Sequence, residues 1–117
     1  RDGGGRMTSG EDWSPIDGVD PEKTGFPARA ELGSEKVVVF RVGDGFRAVQ
    51  RHCPHQNTDF SRGLIVGDGT MIRCGLHAYT FKLADGNGVN CPGYQIAVYD
   101  VMRDGSRLLG RRVANEE

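Results

Sequence analysis

Short runs of apolar residues, separated from one another by glycine and aspartate, recur along this chain. Residues 36–41 are rich in β-branched side chains, and residues 46–49 form a second short apolar run. Gly43-Asp44-Gly45 lies between the two runs, and an Asp-Gly pair accommodates the positive φ angles of tight hairpin turns. This arrangement predicts a β-hairpin.

The second half of the chain repeats this arrangement. Gly67-Asp68-Gly69 and Asp104-Gly105 are further turn signals. The strands predicted beside such turns lie at residues 71–73, 79–83, 94–101 and 106–109. A helical period is present only weakly, at residues 27–32. Short strands that recur about every 8–12 residues predict an all-β fold, an antiparallel sandwich or a small barrel.

Length and charge narrow the class of protein. The chain has 117 residues, enough for one domain, and its formal net charge is −1. This charge gives no electrostatic reason to expect nucleic acid or a membrane surface as a partner. No apolar run approaches the roughly 20 residues of a transmembrane helix, and the polar N-terminus does not look like a signal peptide. We therefore expect a cytoplasmic protein whose thiols stay reduced.

Two short motifs carry the chemistry of the chain. Cys53-Pro54-His55 has the form C-x-H, and Cys74-Gly75-Leu76-His77 has the form C-x-x-H. Thiolates are soft, electron-rich ligands, whereas a neutral imidazole donates less charge and favours the ferrous state of iron. Two thiolates and two imidazoles can therefore hold an iron–sulfur cluster whose potential lies above that of an all-cysteine cluster.

A structural zinc site is the main alternative, because two Cys and two His also satisfy tetrahedral Zn²⁺. Zinc modules usually pair like ligands within one knuckle, and here the order along the chain is Cys, His, Cys, His. This order favours iron–sulfur over zinc. His52 is interpreted as a surface histidine, since adjacent residues of an extended segment point to opposite sides. Cys91 has no neighbouring histidine partner and is interpreted as a small buried apolar residue.

Both motifs lie in longer segments that resemble a known family. Residues 53–65 (CPHQNTDFSRGLI) and residues 73–86 (RCGLHAYTFKLADG) are similar to the two ligand segments of Rieske-type [2Fe–2S] ferredoxins. They also resemble the small subunit of assimilatory nitrite reductase. The likeness extends over about residues 12–110. It implies a Rieske domain at residues 12–113, with a cluster-binding subdomain at about residues 51–84 that contains both ligand loops. Residues 1–11 are expected to be a disordered tail or an expression remnant, and residues 114–117 a frayed tail.

The resemblance also implies a function. One [2Fe–2S] cluster is expected, with Cys53, His55, Cys74 and His77 as its ligands and with Gln56, Tyr79 and Pro92 at the border of the docking surface. The protein would carry single electrons from a flavin-containing reductase to an oxygenase-type enzyme and would have no catalytic site of its own. Two alternatives stay open: a small subunit of an NAD(P)H-dependent nitrite reductase, and a zinc-stabilised binding module without a redox role.

Departures from the high-potential respiratory members of the family bear on the redox potential. Those proteins carry a disulfide between the two ligand loops, and the matching positions here are Thr58 and Leu76. They also place a serine hydroxyl against the cluster where this chain has Tyr79. Because fewer hydrogen bonds to the cluster sulfur stabilise the reduced form less, we expect a midpoint potential in the lower part of the Rieske range.

Overall fold

The structure, a computed structural model, describes residues 13–23, 25–54, 58–74, 79–90 and 93–113. These residues contain short strands and one turn of 3₁₀ helix. The strands are β1 (Ser14–Asp17), β2 (Ala28–Leu32), β3 (Glu35–Val42), β4 (Gly45–Gln50), β5 (Leu64–Val66), β6 (Met71–Arg73), β7 (Thr80–Lys82), β8 (Val98–Asp104) and β9 (Arg107–Arg112). The 3₁₀ turn is Phe60–Arg62, between β4 and β5.

Six of these strands close into an antiparallel barrel in the order β1-β2-β3-β4-β8-β9. The barrel closes because β1 pairs with both β2 and β9. The remaining strands form a three-stranded antiparallel sheet in the order β5-β6-β7, which the chain builds between β4 and β8. The predicted all-β class and small-barrel architecture are confirmed.

Strand β3 explains how the barrel and the small sheet share a core. Four consecutive residues, Val37 to Phe40, are buried, although a strand with one solvated face would alternate. Val37 and Val39 belong to the core inside the barrel. Val38 and Phe40 point the other way and belong to a second core between the barrel and the small sheet. An unbroken apolar run is therefore required at this position.

The predicted hairpin turns form where the Asp-Gly signals indicated. Gly43 and Asp44 connect β3 to β4, and Gly105 lies in the turn between β8 and β9. The turn between β5 and β6 is the most demanding. Asp68 there has a φ of 57°, and Gly67 and Gly69 on either side are also in the left-handed region. Aspartate is one of the few residues with a side chain that tolerates this conformation.

Two sequence-based assignments of secondary structure are wrong. The weak helical period at residues 27–32 belongs to strand β2, whose residues alternate between buried and exposed and pair with β1 and β3. The strand predicted at residues 94–101 begins only at Val98 and continues to Asp104. Before it, Ile96 donates its N–H to the carbonyl of Gly86, outside the barrel ladder. Tertiary hydrogen bonds therefore override the local alternation.

No helix in the described ranges is long and apolar enough to cross a membrane. The predicted tails at residues 1–11 and 114–117 lie outside the described residues. Trp13, at the start of the described chain, is half-buried beside β1, and the Arg111 guanidinium lies 4.5 Å from the centre of its ring.

Candidate metal centre

The two motif cysteines begin two loops that are closed in the same way. The backbone N–H of Cys53 donates to the carbonyl of Thr58 at 2.8 Å, and that of Cys74 donates to the carbonyl of Tyr79 at 2.7 Å. Each hydrogen bond joins a cysteine to the residue five positions later. Both loops are therefore of equal length, although one motif is C-x-H and the other is C-x-x-H.

The residue pairs outside these closing bonds are equivalent as well. His52 forms an antiparallel bridge with Asp59, and Arg73 pairs with Thr80 in the ladder between β6 and β7. In each case the partners are seven residues apart. The two loops are thus repeated β-hairpin loops with a cysteine at the same position. Sequence reasoning alone did not reveal this equivalence, because the strand signals around Cys53 are weak.

Both cysteine side chains are buried thiols. Cys53 is 1% exposed and Cys74 is 2% exposed, and neither forms a disulfide. They belong to the same core, between the barrel and the small sheet. Phe60 and Phe81 are in that core and contact each other edge to face, with ring centres 6.0 Å apart. An apolar wall of this kind limits the access of water to a bound group.

His52 lies outside this buried environment. Its side chain is exposed, whereas that of the next residue, Cys53, is buried, as expected for neighbours on an extended segment. Its carbonyl accepts a hydrogen bond from the side-chain amide of Gln50 at 2.6 Å, and the oxygen of that amide accepts from the Ala97 N–H at 2.8 Å. Gln50 therefore links the start of the first loop to the segment before β8.

An ion pair joins the end of the first loop to the barrel. The guanidinium of Arg29, on β2, lies 2.9 Å from the carboxylate of Asp59. Asp59 also accepts the N–H of Ser61 at 2.8 Å and so caps the 3₁₀ turn. Burial alone would raise the pKa of Asp59, but the hydrogen bonds from Ser61 and the charges of Arg29 and His52 outweigh it. The net effect lowers the pKa of Asp59, which stays ionised.

The two arginines near the motif cysteines have different environments. The Arg51 guanidinium donates to the carbonyl of Ala30 on β2 at 2.7 Å, and its Nε is buried. Arg51 therefore fixes the start of the first loop to the barrel. Arg73 is exposed at the end of β6, next to the second loop.

A third segment runs beside the second loop. Val89 donates its N–H to the carbonyl of Thr80 at 2.8 Å, and the side chain of Asn90 accepts the Thr80 N–H at 2.9 Å. Further along, Gly88 donates to the carbonyl of Tyr94 at 3.0 Å. These bonds hold the described ends of the segment that contains Cys91 and Pro92.

A glycine that sequence analysis did not single out separates the two loops. A Cβ on Gly63 would lie 2.7 Å from the carbonyl oxygen of Arg73 and 3.2 Å from that of Phe60. No side chain fits there, because both contacts are with backbone. Gly63 thus lets the 3₁₀ turn approach β6, which ends at Arg73, just before Cys74. Its φ is −82°, so no sequence signal of a left-handed turn could have indicated it.

The structure brings together some of the predicted site residues. Cys53, Cys74 and Tyr79 are described, and Tyr79 is half-buried and packs against the core that contains both thiols. The other predicted positions lie outside the described residues; they are His55, His77, Gln56, Pro92 and Cys91. Within the described ranges, no group of three or more His, Cys, Asp or Glu side chains forms a metal site.

The donor set fits a [2Fe–2S] cluster. Such a cluster needs thiolates that are not already consumed by a disulfide. Cys53 and Cys74 form no disulfide, are buried and occupy equivalent loop positions. Each loop has a histidine within three residues of its cysteine. Two loops of this kind can each supply one soft and one imidazole ligand.

Comparison with known proteins supports this interpretation. The chain is 34% identical over 76 residues to the ferredoxin subunit of 3-phenylpropionate/cinnamic acid dioxygenase from Shigella boydii, covering 64% of this chain and 71% of that protein. It is 27% identical over 79 residues to the ferredoxin component of an alkene monooxygenase system from Xanthobacter autotrophicus, covering 68% and 64%. It spans only 16% of the oxygenase subunit of 5,5'-dehydrodivanillate O-demethylase from Sphingobium, with 30% identity over 70 residues and 59% of this chain.

Solved structures share the fold. The ferredoxin of carbazole 1,9a-dioxygenase from Nocardioides aromaticivorans superposes with a TM-score of 0.68 at 25% identity, over 88% of this chain and 99% of that one. A Mycobacterium tuberculosis protein assigned as the small subunit of an NADH-dependent nitrite reductase gives a TM-score of 0.66 at 24% identity, over 87% and 96%. The second likeness shows the fold alone.

The family model described as the Rieske [2Fe-2S] domain matches residues 12–100, which include both cysteine loops and the small sheet. A Rieske-type [2Fe–2S] cluster is the group that this domain holds. The chain therefore belongs to the Rieske [2Fe-2S] domain family.

Proposed function

We propose that this protein carries single electrons and acts as the ferredoxin component of an oxygenase system. The observation that carries the proposal is the equivalence of the two loops, each with a buried cysteine that forms no disulfide at its first position. The relatives named as ferredoxin components of a dioxygenase and a monooxygenase support it. A bound cluster supplies a one-electron redox centre that the side chains of this chain do not provide.

In this proposal Cys53 and Cys74 hold one iron through their thiolates, and His55 and His77 hold the other through their imidazoles. The apolar core around the thiols excludes water, and the closing hydrogen bonds to Thr58 and Tyr79 fix the two loop backbones. Arg51 and the Arg29–Asp59 ion pair hold the first loop on the barrel. The chain thus provides a rigid frame, which limits structural rearrangement when the charge of the centre changes.

The electron donor in this proposal is a flavin-containing reductase and the acceptor is an oxygenase. Gln56, Tyr79 and Pro92 border the docking surface near the ligand histidines. A ferredoxin of this fold has been solved in complex with its oxygenase, in carbazole 1,9a-dioxygenase, which supports an oxygenase as acceptor. We place the protein in the cytoplasm, where thiols remain available to bind iron.

A small subunit of nitrite reductase is the second candidate. Residues 53–65 and 73–86 resemble that subunit, and the fold shared with the Mycobacterium tuberculosis protein over 87% of this chain is consistent with this resemblance. Gel filtration of the native complex separates the two candidates. A carrier elutes at the size of the free chain, whereas a permanent subunit elutes with a large catalytic partner.

Reconstitution of electron transfer tests the proposal. The purified holoprotein should accept an electron from NADH through a flavin reductase and should be reoxidised by a Rieske oxygenase. Cys53→Ser and Cys74→Ser should abolish both steps. Unchanged turnover with either variant would contradict the proposed ligand set.

A further inference from the structure

The small sheet has one face that its own core does not use. Ile72 and Phe81 point inward and are fully buried, and Ile65 packs against the same core. Alternation along the strands then places the neighbouring residues on the opposite side. We call this the outer face. Its strand residues are Leu64, Val66, Met71, Arg73, Thr80 and Lys82. We include Val89, which adjoins Thr80 and lines the same groove.

The outer face exposes more apolar surface than a solvated sheet needs. Leu64 is 61% exposed and Val89 is 49% exposed. A groove of about 430 Å³ runs between the strands and is lined by Val66, Met71 and Val89 among others. Scattered exposed apolar residues are ordinary, but several on one sheet face beside a groove indicate an interaction surface.

This face adjoins the second ligand loop. Leu64 pairs with Arg73, Arg73 pairs with Thr80, and Thr80 accepts the N–H of Val89. Arg73, within this row of four residues, directly precedes Cys74. A protein seated on this row therefore lies beside the loop that holds half of the proposed cluster ligands.

The charges of the outer face select the kind of partner. Arg73 and Lys82 are both exposed there, and neither has an ion-pair partner among the described residues. Arg73 lies at the end of the sheet next to the ligand loops, whereas Lys82 pairs with Met71 at the opposite end, where the turn that contains Asp68 joins β5 to β6. Because the whole chain has a net charge of −1, the positive charge of Arg73, between the exposed Leu64 and Val89, is a local departure from its overall charge.

We propose that the outer face is a docking surface for an electron-transfer protein with an apolar contact patch bordered by carboxylates. It rests on the proposed electron-carrier function. It adds a second surface, besides the docking surface near the ligand histidines, from which a partner can approach the cluster. A second copy of this chain is disfavoured, since two such faces would bring Arg73 and Lys82 of both copies together. A lipid surface is also disfavoured, because membrane-binding patches use about four to eight basic residues.

The test uses flavodoxin hydroquinone, an acidic flavoprotein that donates one electron at a time, as the probe. The rate constant for reduction of the holoprotein is measured by stopped flow at low and at high ionic strength. Leu64→Ala/Val89→Ala and Arg73→Gln/Lys82→Gln should each slow reduction about tenfold at low salt. Only the second pair should reduce the salt dependence.

Matched controls lie on the barrel. Met102→Ala removes an apolar side chain that is 42% exposed, and Lys23→Gln/Arg107→Gln removes two exposed cations. These variants should keep the wild-type rate within twofold. Rates for the outer-face variants that equal the wild type, or controls that slow reduction as much, would overturn the proposal. The proposal would also be overturned if the wild type dimerises or binds phosphatidylserine vesicles and both outer-face double variants abolish that association without slowing reduction by flavodoxin.

A second measurement separates this proposal from the proposed function. The dissociation constant for oxidised flavodoxin, measured by calorimetry, needs no electron transfer. If the protein lacks iron and sulfide, the electron-carrier function fails, whereas the affinity still tests the face. Intact midpoint potentials in the outer-face variants show that a slower rate reflects docking and not a changed cluster. A wild-type affinity in both pairs would overturn the docking surface even if the cluster is present.

Discussion

The guanidinium of Arg29 lies 2.9 Å from the carboxylate of Asp59, and this contact joins the barrel to the end of the loop that begins at Cys53. Arg29 is 59% exposed, so solvent screens the ion pair and it should contribute at most about 1 kcal/mol. Asp59 has a second role as the cap of the 3₁₀ turn. The two roles can be separated by substitution.

Arg29→Gln and Asp59→Asn should each lower the free energy of unfolding by no more than about 1 kcal/mol, because asparagine still caps. Asp59→Ala also loses the cap and should cost about 1 kcal/mol more. Urea denaturation at pH 7 measures all three. Equal losses for Asp59→Asn and Asp59→Ala would show that the cap contributes nothing.

Gly63 should be intolerant of any side chain. Gly63→Ala forces a methyl group against two carbonyl oxygens, and overpacking of this kind costs about 1–3 kcal/mol. The Arg73 carbonyl must move, so the visible absorption of the holoprotein should change as well. Gly25→Ala is the matched control, since nothing lies within 4 Å of its Cβ position. A Gly63→Ala protein as stable as Gly25→Ala would refute the close approach.

The raised pKa of Tyr99 predicts how the stability of the fold changes at alkaline pH. Burial of its phenol and the nearby Glu35 carboxylate raise the pKa above the ordinary value of 10.0, and Arg112 opposes only part of this effect. The contribution of the protonated Tyr99 phenol to the free energy of unfolding is complete below pH 10. It is lost as the pH rises through the folded-state pKa, because Tyr99 of the unfolded chain releases its proton first.

The free energy of unfolding should therefore fall as the pH rises above about 10, with a slope of at most about 1.4 kcal/mol per pH unit from this group alone. Tyr99→Phe should remove this pH-dependent part of the free energy of unfolding. The stability difference between wild type and variant should therefore shrink as the pH rises. Tyr94→Phe, at an exposed position, is the control. Denaturation curves at pH 8–11 that stay parallel for wild type and Tyr99→Phe would contradict the assignment.

The two histidines on either side of Cys53-Pro54 should behave differently. His52 is exposed, and its bridge to Asp59 and its hydrogen bond from Gln50 involve its backbone, so His52→Ala should leave the visible and EPR spectra of the cluster unchanged. His55→Ala should remove the Rieske spectrum. Loss of the spectrum in His52→Ala together with its retention in His55→Ala would reverse the ligand assignment.

Much of the fold could be predicted from local sequence. The turns at Gly43-Asp44 and Gly67-Asp68-Gly69 depend on backbone conformations that few residues adopt. Gly and Asp at these positions therefore indicate the turns directly. Residues 27–32 show the opposite case, because β2 is a strand through its pairing with β1 and β3, and no local signal reports that pairing.

The chemistry of the site was predictable, but its frame was not. Cys53 and Cys74 are indicated by ligand type and spacing. The equal length of the two loops, the close approach at Gly63 and the contact of Arg51 with Ala30 all depend on residues distant in sequence. A single sequence contains no measure of such distances. The same holds for the outer face, where exposure of Leu64 and Val89 follows from which side of the sheet the core occupies.

Analysis of iron and acid-labile sulfide in the purified protein, with an EPR spectrum of the reduced form, tests the central claim most directly. A Rieske cluster on Cys53, His55, Cys74 and His77 predicts about two irons and two sulfides per chain, no zinc, and an EPR signal that appears on reduction. One zinc per chain with no sulfide and no signal would contradict the account.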